Sequence, residues 1–497
     1  MMPSPRSSGK PGPRQSSRQP GARKPGPRKS GSTKPTRRGS ALNEINPPTA
    51  RSIAYARLAA DAADFPDLVP SDLDTGPLDP RDSALAHAIH DTVIRRWWTL
   101  QSVVAPFMNK PFLEFEPGVR AALLAGAAQL LFFDRVPAHA AISETVEWST
   151  RAIRPGAGGL VNAVLRRVSE LAGDERTYRD QFTWQRDEIP LADGRALVLA
   201  SEILPEDRLA RTAAAVSIAV PLLESWADAH GVDTARDLAL HTLAVPPVTM
   251  NVRHAESPVP DTEPHEISVD KQPGFAVYTG PMTALGDLLA SRSDVWVQDA
   301  ASGEAVASIA DLDFEMSANE SPVIVDLCAG KGTKTRQLAR TFPHAEIVAT
   351  DTDAPRLAVL KRVFVDHPRV RVLEFAEVLD DCLGRADLVL LDVPCSNTGV
   401  LARRPEAKYR PMTKQRDRLA DTQRQIVADA IRLLAQSGKI LYSTCSLQRE
   451  ENHEIARWAT TWHGFGIDRE RMTLPAGLPG DPPTGYHDGS YSVLLSR

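Results

Sequence analysis

The sequence predicts a multidomain protein, with an all-α bundle towards the N-terminus, a small mixed linker domain and a Rossmann-like α/β domain at the C-terminus. Two observations support this fold class. Between about residues 49 and 169, apolar residues recur every three to four positions, as in amphipathic helices. After the segment DVWVQDAAS (294–302), short apolar runs alternate with helical segments, which indicates a parallel sheet buried on both faces. The length of 497 residues allows about three domains.

Residues 1–46 are a basic tail by composition. The first 40 residues contain eleven Lys and Arg, no Asp or Glu, and many Pro, Gly and Ser. Such a segment buries too little apolar surface to offset its ordering entropy, so we expect disorder. The whole chain has a formal charge of −5, so the part without these eleven cations carries −16. A basic arm suits salt-sensitive contact with RNA, and a solubilising extension is the alternative.

Residues 47–172 are predicted to form the helical bundle. Segments 84–108 and 118–133 carry apolar residues at helical spacing and follow the turn signals PRDS and FEPG. Trp97 and Trp98 are expected in the core of this bundle. The pattern therefore predicts a compact helical domain before the mixed region.

A mixed region follows over residues 173–290, with a helix predicted at 217–231 and a strand at 246–254. In residues 291–497 the pattern changes to alternating strands and helices. The predicted strands of this domain are SPVIVDLCAG (321–330), AEIVATDTD (345–353), VRVLEF (370–375), ADLVLLDVP (386–394) and GKILYSTCS (438–446). In such a sheet, ligands bind beyond the carboxyl ends of the strands, where every motif considered below lies.

The loop DLCAGKGTKT (326–335) follows the first of these strands. It is not a phosphate loop of the Walker type, because the residue before Lys334 is Thr and not Gly. Gly330 and Gly332 supply two glycines of a dinucleotide motif, but Thr335 occupies the place of the third. Asp351 ends the second strand, where an acid accepts the hydroxyls of a ribose. An adenosine cofactor and a dinucleotide both satisfy this pattern.

Two cysteines follow adjacent strands of the predicted sheet. Cys395 comes after the fourth strand and Cys445 ends the fifth, and neighbouring strands lie about 4.8 Å apart, so both thiols are expected in one pocket. Cys382 is expected to be a buried hydrophobe. The four cysteines include no CxxC pair, so structural zinc is not expected.

A pair of thiols suits methylation at carbon 5 of a pyrimidine. That carbon is a poor nucleophile within the aromatic ring. A thiolate that adds to carbon 6 creates an enamine-like ring, whose carbon 5 attacks an electrophilic methyl group. A base then removes the carbon 5 proton and the thiolate leaves. Asp392, in the fourth strand's motif, is placed to meet the N3 edge of the base or the cofactor.

Together, the motifs DLCAGKGTKT, LLDVPCSNTG and YSTCS resemble those of the bacterial RNA 5-methylcytosine methyltransferases of the RsmB (Fmu/Sun) type. The segments 130–149 and 159–168 are similar to the NusB-like RNA-binding domain of that family. The resemblance implies a class I S-adenosylmethionine methyltransferase fold, S-adenosylmethionine as cofactor, and methylation of a cytosine in RNA, with 16S ribosomal RNA as the expected substrate.

The resemblance also implies roles for individual residues. Cys445 would be the nucleophile, and Cys395 would assist product release. Asp351 would bind the ribose of the cofactor, and Asp392 would meet the base or the cofactor. The loop would hold the amino-acid end of the cofactor through Cys328, Ala329, Gly330, Lys331, Gly332, Thr333 and Lys334. Backbone NH groups at a strand-to-helix turn suit a carboxylate, in agreement with that role.

The chain departs from the family pattern at three places. Lys331 replaces a proline of the family, and Thr333 replaces a glycine. Ala376 stands where the family has an Asp that contacts adenine, and the neighbouring Glu377 is the candidate substitute. These departures motivate one alternative, a non-catalytic RNA-binding or ribosome-assembly factor with a degenerate cofactor site. A transfer RNA cytosine-5 methyltransferase is the other alternative.

Basic residues follow the PC motif, which is Pro394 and Cys395 of LLDVPCSNTG, and they suggest how RNA is contacted. Arg403, Arg404 and Lys408, in the segment RRPEAKYR, are candidates for binding RNA phosphates, with a solvated loop as the alternative. DNA cytosine methyltransferases use the PC cysteine as nucleophile, and the TCS motif argues against them.

The sequence also excludes several classes of protein. The longest apolar stretch, residues 121–133, is too short to span a bilayer, and no secretory signal follows the basic residues, so no membrane association is expected. The few cysteines suggest a reducing cytoplasm. We expect a cytoplasmic monomer that requires no metal, because a thiol supplies the activation.

Overall fold

In a computed structural model of the protein, the described residues are 42–70, 72–173, 175–259, 267–314, 321–410 and 412–497. Leu42–Arg497 forms one compact unit. Most of the basic tail lies outside the described residues, so its disorder stays a prediction, as do the domain boundaries. Within the described residues, no helix combines the length and apolar character needed to cross a bilayer.

The N-terminal part of the unit is a helical bundle, as predicted. Its helices are α1 (Ala50–Asp64), α2 (Pro80–Val104), α3 (Pro117–Phe132), α4 (Ala138–Trp148) and α5 (Ala157–Ala172). Helix α1 begins with a capping box, in which Thr49 and Ser52 each accept the other's backbone NH. Helix α3 lies almost wholly in the core, where Trp97 is fully buried and Trp98 packs against it half-buried.

The middle region combines two small antiparallel sheets with a group of helices. The first sheet has the order β1-β3-β2 and the second β5-β6-β4-β7 within the described residues. The elements are β1 (Thr177–Arg179), β2 (Glu188–Pro190), β3 (Ala196–Val198), α6 (Arg208–Val216), α7 (Val220–His230), α8 (Val232–His241), β4 (Val248–Asn251), β5 (Ile267–Val269), β6 (Phe275–Tyr278), α9 (Met282–Ser291) and β7 (Trp296–Val297). Helix α7 and strand β4 confirm the two elements predicted for this region.

The C-terminal part contains the predicted parallel sheet. Its strands are β8 (Val323–Asp326), β9 (Glu346–Ala349), β10 (Val370–Val372), β11 (Ala386–Asp392), β12 (Leu434–Thr444), β13 (Gly466–Thr473) and β14 (Ser490–Ser496). Its helices are α10 (Ala300–Ala307), α11 (Thr333–Thr341), α12 (Ala354–Val363), α13 (Phe375–Asp381), α14 (Met412–Ile431) and α15 (His453–His463). The described sheet has the order β10-β9-β8-β11-β12-β14-β13. Its first five strands in this order, which are β8 to β12 by number, run parallel.

The five predicted strands are present, but β13 and β14 were not predicted. Strand β13 pairs antiparallel with β14 at the edge of the sheet, and most of its residues are exposed. Because its sequence, GIDRERMT, is largely polar, it lacks the apolar run that marks a buried strand. Strand β14 pairs antiparallel with β12 and completes the sheet.

Both faces of the sheet are buried, and this aligns the strand ends. Val325 belongs to the apolar core on one face and Ile324 to the core on the other. The parallel register places Asp392 of β11 opposite Ser443 of β12. The loops that carry the predicted site residues therefore leave the sheet along one edge.

Candidate active site

Two thiols meet at the carboxyl ends of β11 and β12. The Sγ atoms of Cys395 and Cys445 lie 3.2 Å apart, and both residues are free cysteines. Cys395 is buried, whereas Cys445 is partly exposed. The hydrogen bond with Cys445, together with burial, raises the pKa of Cys395 well above its ordinary value. Two chemically identical side chains therefore differ in environment: Cys395 stays a protonated thiol, and Cys445 is the accessible one.

Three residues hold the loop that carries Cys445. Cys445 Sγ donates to Asn397 Oδ1 at 3.3 Å. Asn452 brackets the cysteine, because its side chain accepts from Thr444 Oγ1 at 2.7 Å and donates to the carbonyl of Ser446 at 2.8 Å. The NH of Gly399 donates to the Cys445 carbonyl at 2.9 Å.

The loop after Cys395 requires two unusual backbone positions. Asn397 has a φ of 62°, a left-handed conformation that asparagine tolerates better than most residues. A Cβ atom at Gly399 would lie 2.9 Å from the carbonyl oxygen of Cys445 and 2.8 Å from that of Gly489. Only glycine permits this approach, which brings the two cysteine loops together.

A buried carboxylate lies beneath the cysteine pair. Glu451 is fully buried, and its Oε2 accepts from Ser396 N at 3.0 Å and from Ser396 Oγ at 3.2 Å. The Ser396 hydroxyl also lies 3.0 Å from that of Ser446, which follows Cys445. Burial raises the pKa of Glu451 despite these hydrogen bonds. Glu451 thus ties the PCSN loop to the TCS loop.

Asp392 is held between a cation and a hydroxyl. Lys334 Nζ lies 2.7 Å from Asp392 Oδ2, and Ser443 Oγ donates to Asp392 Oδ1 at 2.9 Å. Burial lowers the pKa of Lys334, but the charges of Asp392 and Cys445 outweigh burial and raise it. Lys334 therefore stays charged, within electrostatic reach of both Asp392 and Cys445.

The loop that begins at Asp326 has the backbone of a ligand-binding turn. Gly330 and Gly332 have φ values of 58° and 92°. A Cβ atom at Gly332 would lie 2.5 Å from the ring of Phe364, whereas one at Gly330 would meet open space. Asp351 closes the turn, since its Oδ2 accepts from Gly330 N at 2.9 Å. Gly332 is thus needed for packing, and Gly330 leaves room for a ligand to approach.

Asp326 provides the test of whether the loop fits S-adenosylmethionine. Its Oδ2 accepts from Thr335 Oγ1 at 2.6 Å, but its Oδ1 is buried without a partner among the described residues. Burial raises the pKa of Asp326 to about 7. An unpaired carboxylate oxygen at a strand end requires a donor, and the ammonium group of the cofactor is one. The loop therefore fits the cofactor, and Asp326 joins the residues that would hold it.

The remaining loop residues have different positions. Cys328 is partly exposed, and burial, followed by the nearby carboxylates, raises the pKa of its thiol, which opposes a nucleophilic role. Lys331 is exposed. Glu377 is exposed, and its Oε2 accepts from Glu374 N at 2.8 Å in a capping box at the start of α13. Its predicted contact with adenine stays a prediction, as does any effect of Ala376.

Two of the predicted RNA contacts need correction. Lys408 is 1% exposed, and its Nζ donates to the carbonyls of Arg95 and Val216, so it has no surface from which to contact RNA. Arg403 donates to the carboxylates of Asp488 and Asp299 at 2.6 and 3.1 Å, which occupies its guanidinium. Both side chains join parts of the fold.

Arg404 is exposed, so its predicted RNA contact stays open. Cys382 is fully buried, which confirms its predicted place in the core. The contacting residues that sequence reasoning missed are Asp326, Asn397, Gly399, Glu451 and Asn452. Their signal was present, because each lies within one of the motifs that resemble the family or no more than six residues after it. Only contacts in three dimensions, however, distinguish them from their neighbours.

Comparison with known sequences gives two family matches. The profile described as 16S rRNA methyltransferase RsmB/F matches residues 314–463, and that of the NusB family matches residues 52–170. The first range contains the parallel strands β8 to β12, and the second covers nearly all of the helical bundle. The cysteine pair and the Asp326 loop both lie within the first match.

Individual relatives match most of the chain. The ribosomal RNA small subunit methyltransferase B of Erwinia tasmaniensis is 30% identical over 435 residues, covering 84% of this chain and 91% of the relative. That of Pseudomonas syringae pv. tomato is 29% identical over 477 residues, covering 91% and 94%. Among solved structures, the crystal structure of PH0851 has a TM-score of 0.66 at 20% identity, covering 92% of this chain and 100% of that one. The structural likeness supports the fold.

Proposed function

Because the chain belongs to the RsmB/F family of 16S ribosomal RNA methyltransferases, we propose that it methylates carbon 5 of a cytosine in 16S ribosomal RNA through a covalent bond between Cys445 and carbon 6. The protein is an RNA methyltransferase that uses S-adenosylmethionine. When bound, this cofactor supplies an electrophilic methyl group. The observation that carries the proposal is the pair of thiols 3.2 Å apart at the ends of adjacent parallel strands.

Cys445 is the proposed nucleophile. It is the more exposed thiol of the pair, and it lies within electrostatic reach of the positive charge of Lys334. The thiolate adds to carbon 6 and forms a C–S bond, and the electron pair of the 5,6 double bond moves to carbon 5. That carbon then accepts the methyl group. The target cytosine must be unpaired or flipped out for Cys445 to reach carbon 6.

Cys395 is the proposed participant in product release. The hydrogen bond with Cys445 is the largest cause of its raised pKa, and burial is the next. Once the sulfur of Cys445 is bonded to carbon 6, it carries no charge, and its part in raising the pKa of Cys395 is removed. Cys395 then becomes easier to ionise, and once its own proton has passed to solvent its thiolate can take the carbon 5 proton. Loss of that proton breaks the C–S bond and releases Cys445.

Asp392 is the proposed contact for the N3 edge of the base. Ser443 and Lys334 fix its two oxygens, so the carboxyl group is oriented before substrate arrives. A proton shared between this preorganised carboxyl group and N3 would neutralise the negative charge that reaches the ring when Cys445 adds. Lys334 consequently orients Asp392.

The alternatives are less well supported. The match to curated methyltransferases over most of the chain disfavours the non-catalytic assembly factor. Relatives named for the small ribosomal subunit favour ribosomal RNA over transfer RNA. Cytoplasmic location and a monomeric state stay predictions.

Two cysteine variants test the mechanism. Cys445→Ala should abolish methyl transfer to 16S ribosomal RNA while cofactor binding, measured by calorimetry, is retained. Cys395→Ala should form the adduct but fail to resolve it, so a slow protein–RNA band should accumulate on a denaturing gel. Bisulfite sequencing of RNA from a deletion strain should then show one position without 5-methylcytosine.

Cys382→Ala is the matched control, because this cysteine lies in the core and outside the pair. It should show normal turnover and no adduct. Retained turnover in Cys445→Ala would remove Cys445 from the nucleophile role. Normal turnover without an adduct in Cys395→Ala would make Cys395 a packing residue only.

A further inference from the structure

A cavity of about 230 Å³ lies between the loop before β2 and helices α6 and α8. We call it the Trp184 pocket, after the aromatic residue that it contains. It lies outside the cysteine site and is rich in guanidinium groups. Its lining includes Trp184, Gln185, Arg208, Arg211, Thr212 and Arg236.

The three arginines of the Trp184 pocket are not used by the fold as ion-pair partners. Among the described residues, none of Arg208, Arg211 and Arg236 forms an ion pair within 4.0 Å, whereas many other arginines of the chain do. Asp207, beside Arg208, caps α6 by accepting from Ala210 N. Three cations therefore line one cavity without a neutralising partner in contact, although the chain as a whole is acidic.

Trp184 is held in an unfavourable backbone conformation beside these cations. Its φ is 66°, a left-handed conformation that is rare for a bulky residue. The fully buried Glu188 maintains it, because Glu188 Oε2 accepts from the NH groups of Thr183 and Gln185, on either side of Trp184, at 2.7 and 3.3 Å. The guanidinium of Arg236 lies 4.3 Å from the indole centroid. The strained tryptophan thus orients a cation towards the cavity.

The Trp184 pocket belongs to the same packed region as the catalytic loops. Trp184 packs against the apolar cluster of α6 to α8 that includes Leu447, two residues after Cys445. Ser225 of α7 also donates to Gln448 Oε1 at 3.2 Å. An extended polyanion bound in the pocket would therefore contact the elements that support the nucleophile loop.

We propose that the Trp184 pocket binds phosphodiester groups of the substrate RNA, outside the target nucleotide. Arg208, Arg211 and Arg236 bind the phosphate oxygens, and Trp184 is a positioning residue that fixes Arg236. The inference rests on the proposed function, because it takes RNA as the substrate. Planar guanidinium groups suit phosphate oxygens in paired hydrogen bonds, and unpaired cations give up no internal ion pair when they bind. The Trp184 pocket would take the role of phosphate contact that was predicted for Lys408, which is buried.

RNA binding in the absence of cofactor tests the proposal. With a labelled 16S ribosomal RNA transcript, Arg208→Ala and Arg236→Ala should each weaken binding roughly tenfold at low salt. The slope of log affinity against log salt should fall by about 0.7 for each lost contact with single-stranded RNA. In turnover assays, KM for RNA should rise while kcat at saturating RNA is unchanged.

Trp184 distinguishes positioning from packing. Trp184→Phe keeps an aromatic face for Arg236 and should bind RNA nearly as the parent protein does. Trp184→Leu should lose affinity to the same extent as Arg236→Ala. Thermal unfolding of both variants shows whether the fold is intact, and equal RNA affinity of the two would overturn the positioning role.

Arg385→Ala is the control, because Arg385 is exposed, lies near Asp381 and precedes the amino end of β11, outside the lining of the Trp184 pocket. It should leave affinity and salt slope unchanged. Parent affinity in Arg208→Ala and Arg236→Ala would overturn the proposal, as would displacement of RNA by equimolar inorganic phosphate, which would indicate a small-anion site. Since binding is measured without methyl transfer, failure of the Cys445 mechanism would leave this result unaffected.

Discussion

At the scale of single residues, environment makes two cysteines chemically different. Cys395 is buried against Cys445 and stays protonated, whereas Cys445 is partly exposed and near Lys334. Asn397 and Asn452 hold the loop that carries Cys445 without supplying a charge. In the proposed mechanism one thiol reacts before the other, and this difference in surroundings favours Cys445 as the first.

Asp326 leads to a prediction about pH. Burial raises its pKa from 3.8 to about 7, so the folded state binds the proton more tightly than the unfolded state does. The associated stability is complete below the unfolded pKa and is lost as pH rises through about 7. Without cofactor, the melting temperature of the parent protein should therefore decline more steeply between pH 3.8 and about 7 than that of Asp326→Asn.

Cofactor binding should show the opposite dependence. An ammonium group favours the ionised carboxylate, so S-adenosylmethionine should bind more tightly as pH rises through about 7. Asp326→Asn, which can still accept from Thr335, should bind it about tenfold more weakly at high pH, as charge-assisted hydrogen bonds are lost. Calorimetry at several pH values measures this, and equal affinity of the two proteins throughout would exclude a contact with Asp326.

At the scale of elements, the loop after the PC motif joins the helical bundle to the catalytic sheet. Helix α2 is interrupted at Arg96, whose φ of −122° and ψ of 20° are not helical. Tyr409 OH donates to the carbonyl of Ile94 at 2.7 Å and accepts from Trp97 N at 3.1 Å. Lys408 Nζ donates to the Arg95 carbonyl at 3.2 Å. Backbone groups of α2 beside the interruption are thus hydrogen-bonded to side chains of a loop more than 300 residues later in the sequence.

This arrangement predicts a loss of stability when Tyr409 or Lys408 is changed. Tyr409→Phe leaves buried backbone groups of α2 without a partner, and the free energy of unfolding should fall by about 1–3 kcal/mol. Lys408→Met should reduce it by a similar amount, about 1–3 kcal/mol, because two carbonyls lose their donor. Denaturant titration measures both values.

Arg404→Ala is the control within the same loop. Its side chain is exposed, so the free energy of unfolding should change by less than about 0.5 kcal/mol. If Lys408→Met keeps full stability but lowers the salt dependence of RNA binding, the predicted phosphate contact would be restored and the joining role withdrawn.

At the scale of the whole molecule, charge is distributed unevenly. The part beyond the first 40 residues carries a formal charge of −16, so RNA must be attracted by local groups of cations. The Trp184 pocket is one such group. The basic tail supplies another by composition, although its residues up to position 41 lie outside the described part of the chain.

Removal of residues 1–40 should therefore weaken RNA binding in a salt-dependent manner. The loss should be larger at low salt than at high salt, because exposed charges are screened as ionic strength rises. Binding of the 16S transcript at several salt concentrations checks this. An equal loss at every concentration would contradict an electrostatic role, and the thermal stability of Leu42–Arg497 should be unchanged.

Much of the fold follows from local pattern. Buried parallel strands appear as continuous apolar runs, so β8 to β12 and the helices between them were predictable, as were the loop proposed to bind the cofactor and the loops that carry the two cysteines. Strand β13 was not, since an edge strand with exposed polar residues carries no such run. Motif spacing likewise indicated Cys395 and Cys445, because residues that end adjacent strands meet at one edge of the sheet.

Contacts between distant segments decided the rest. Lys408 and Arg403 look like RNA ligands in sequence, but packing against α2 and against Asp488 commits both to the fold. The Trp184 pocket is assembled from a loop and two helices, and none of its arginines is marked by a motif. A local pattern reports which way a side chain faces within its own element. Whether a charged side chain forms an ion pair or hydrogen bond depends on which other element packs against it, and only the folded chain determines that packing.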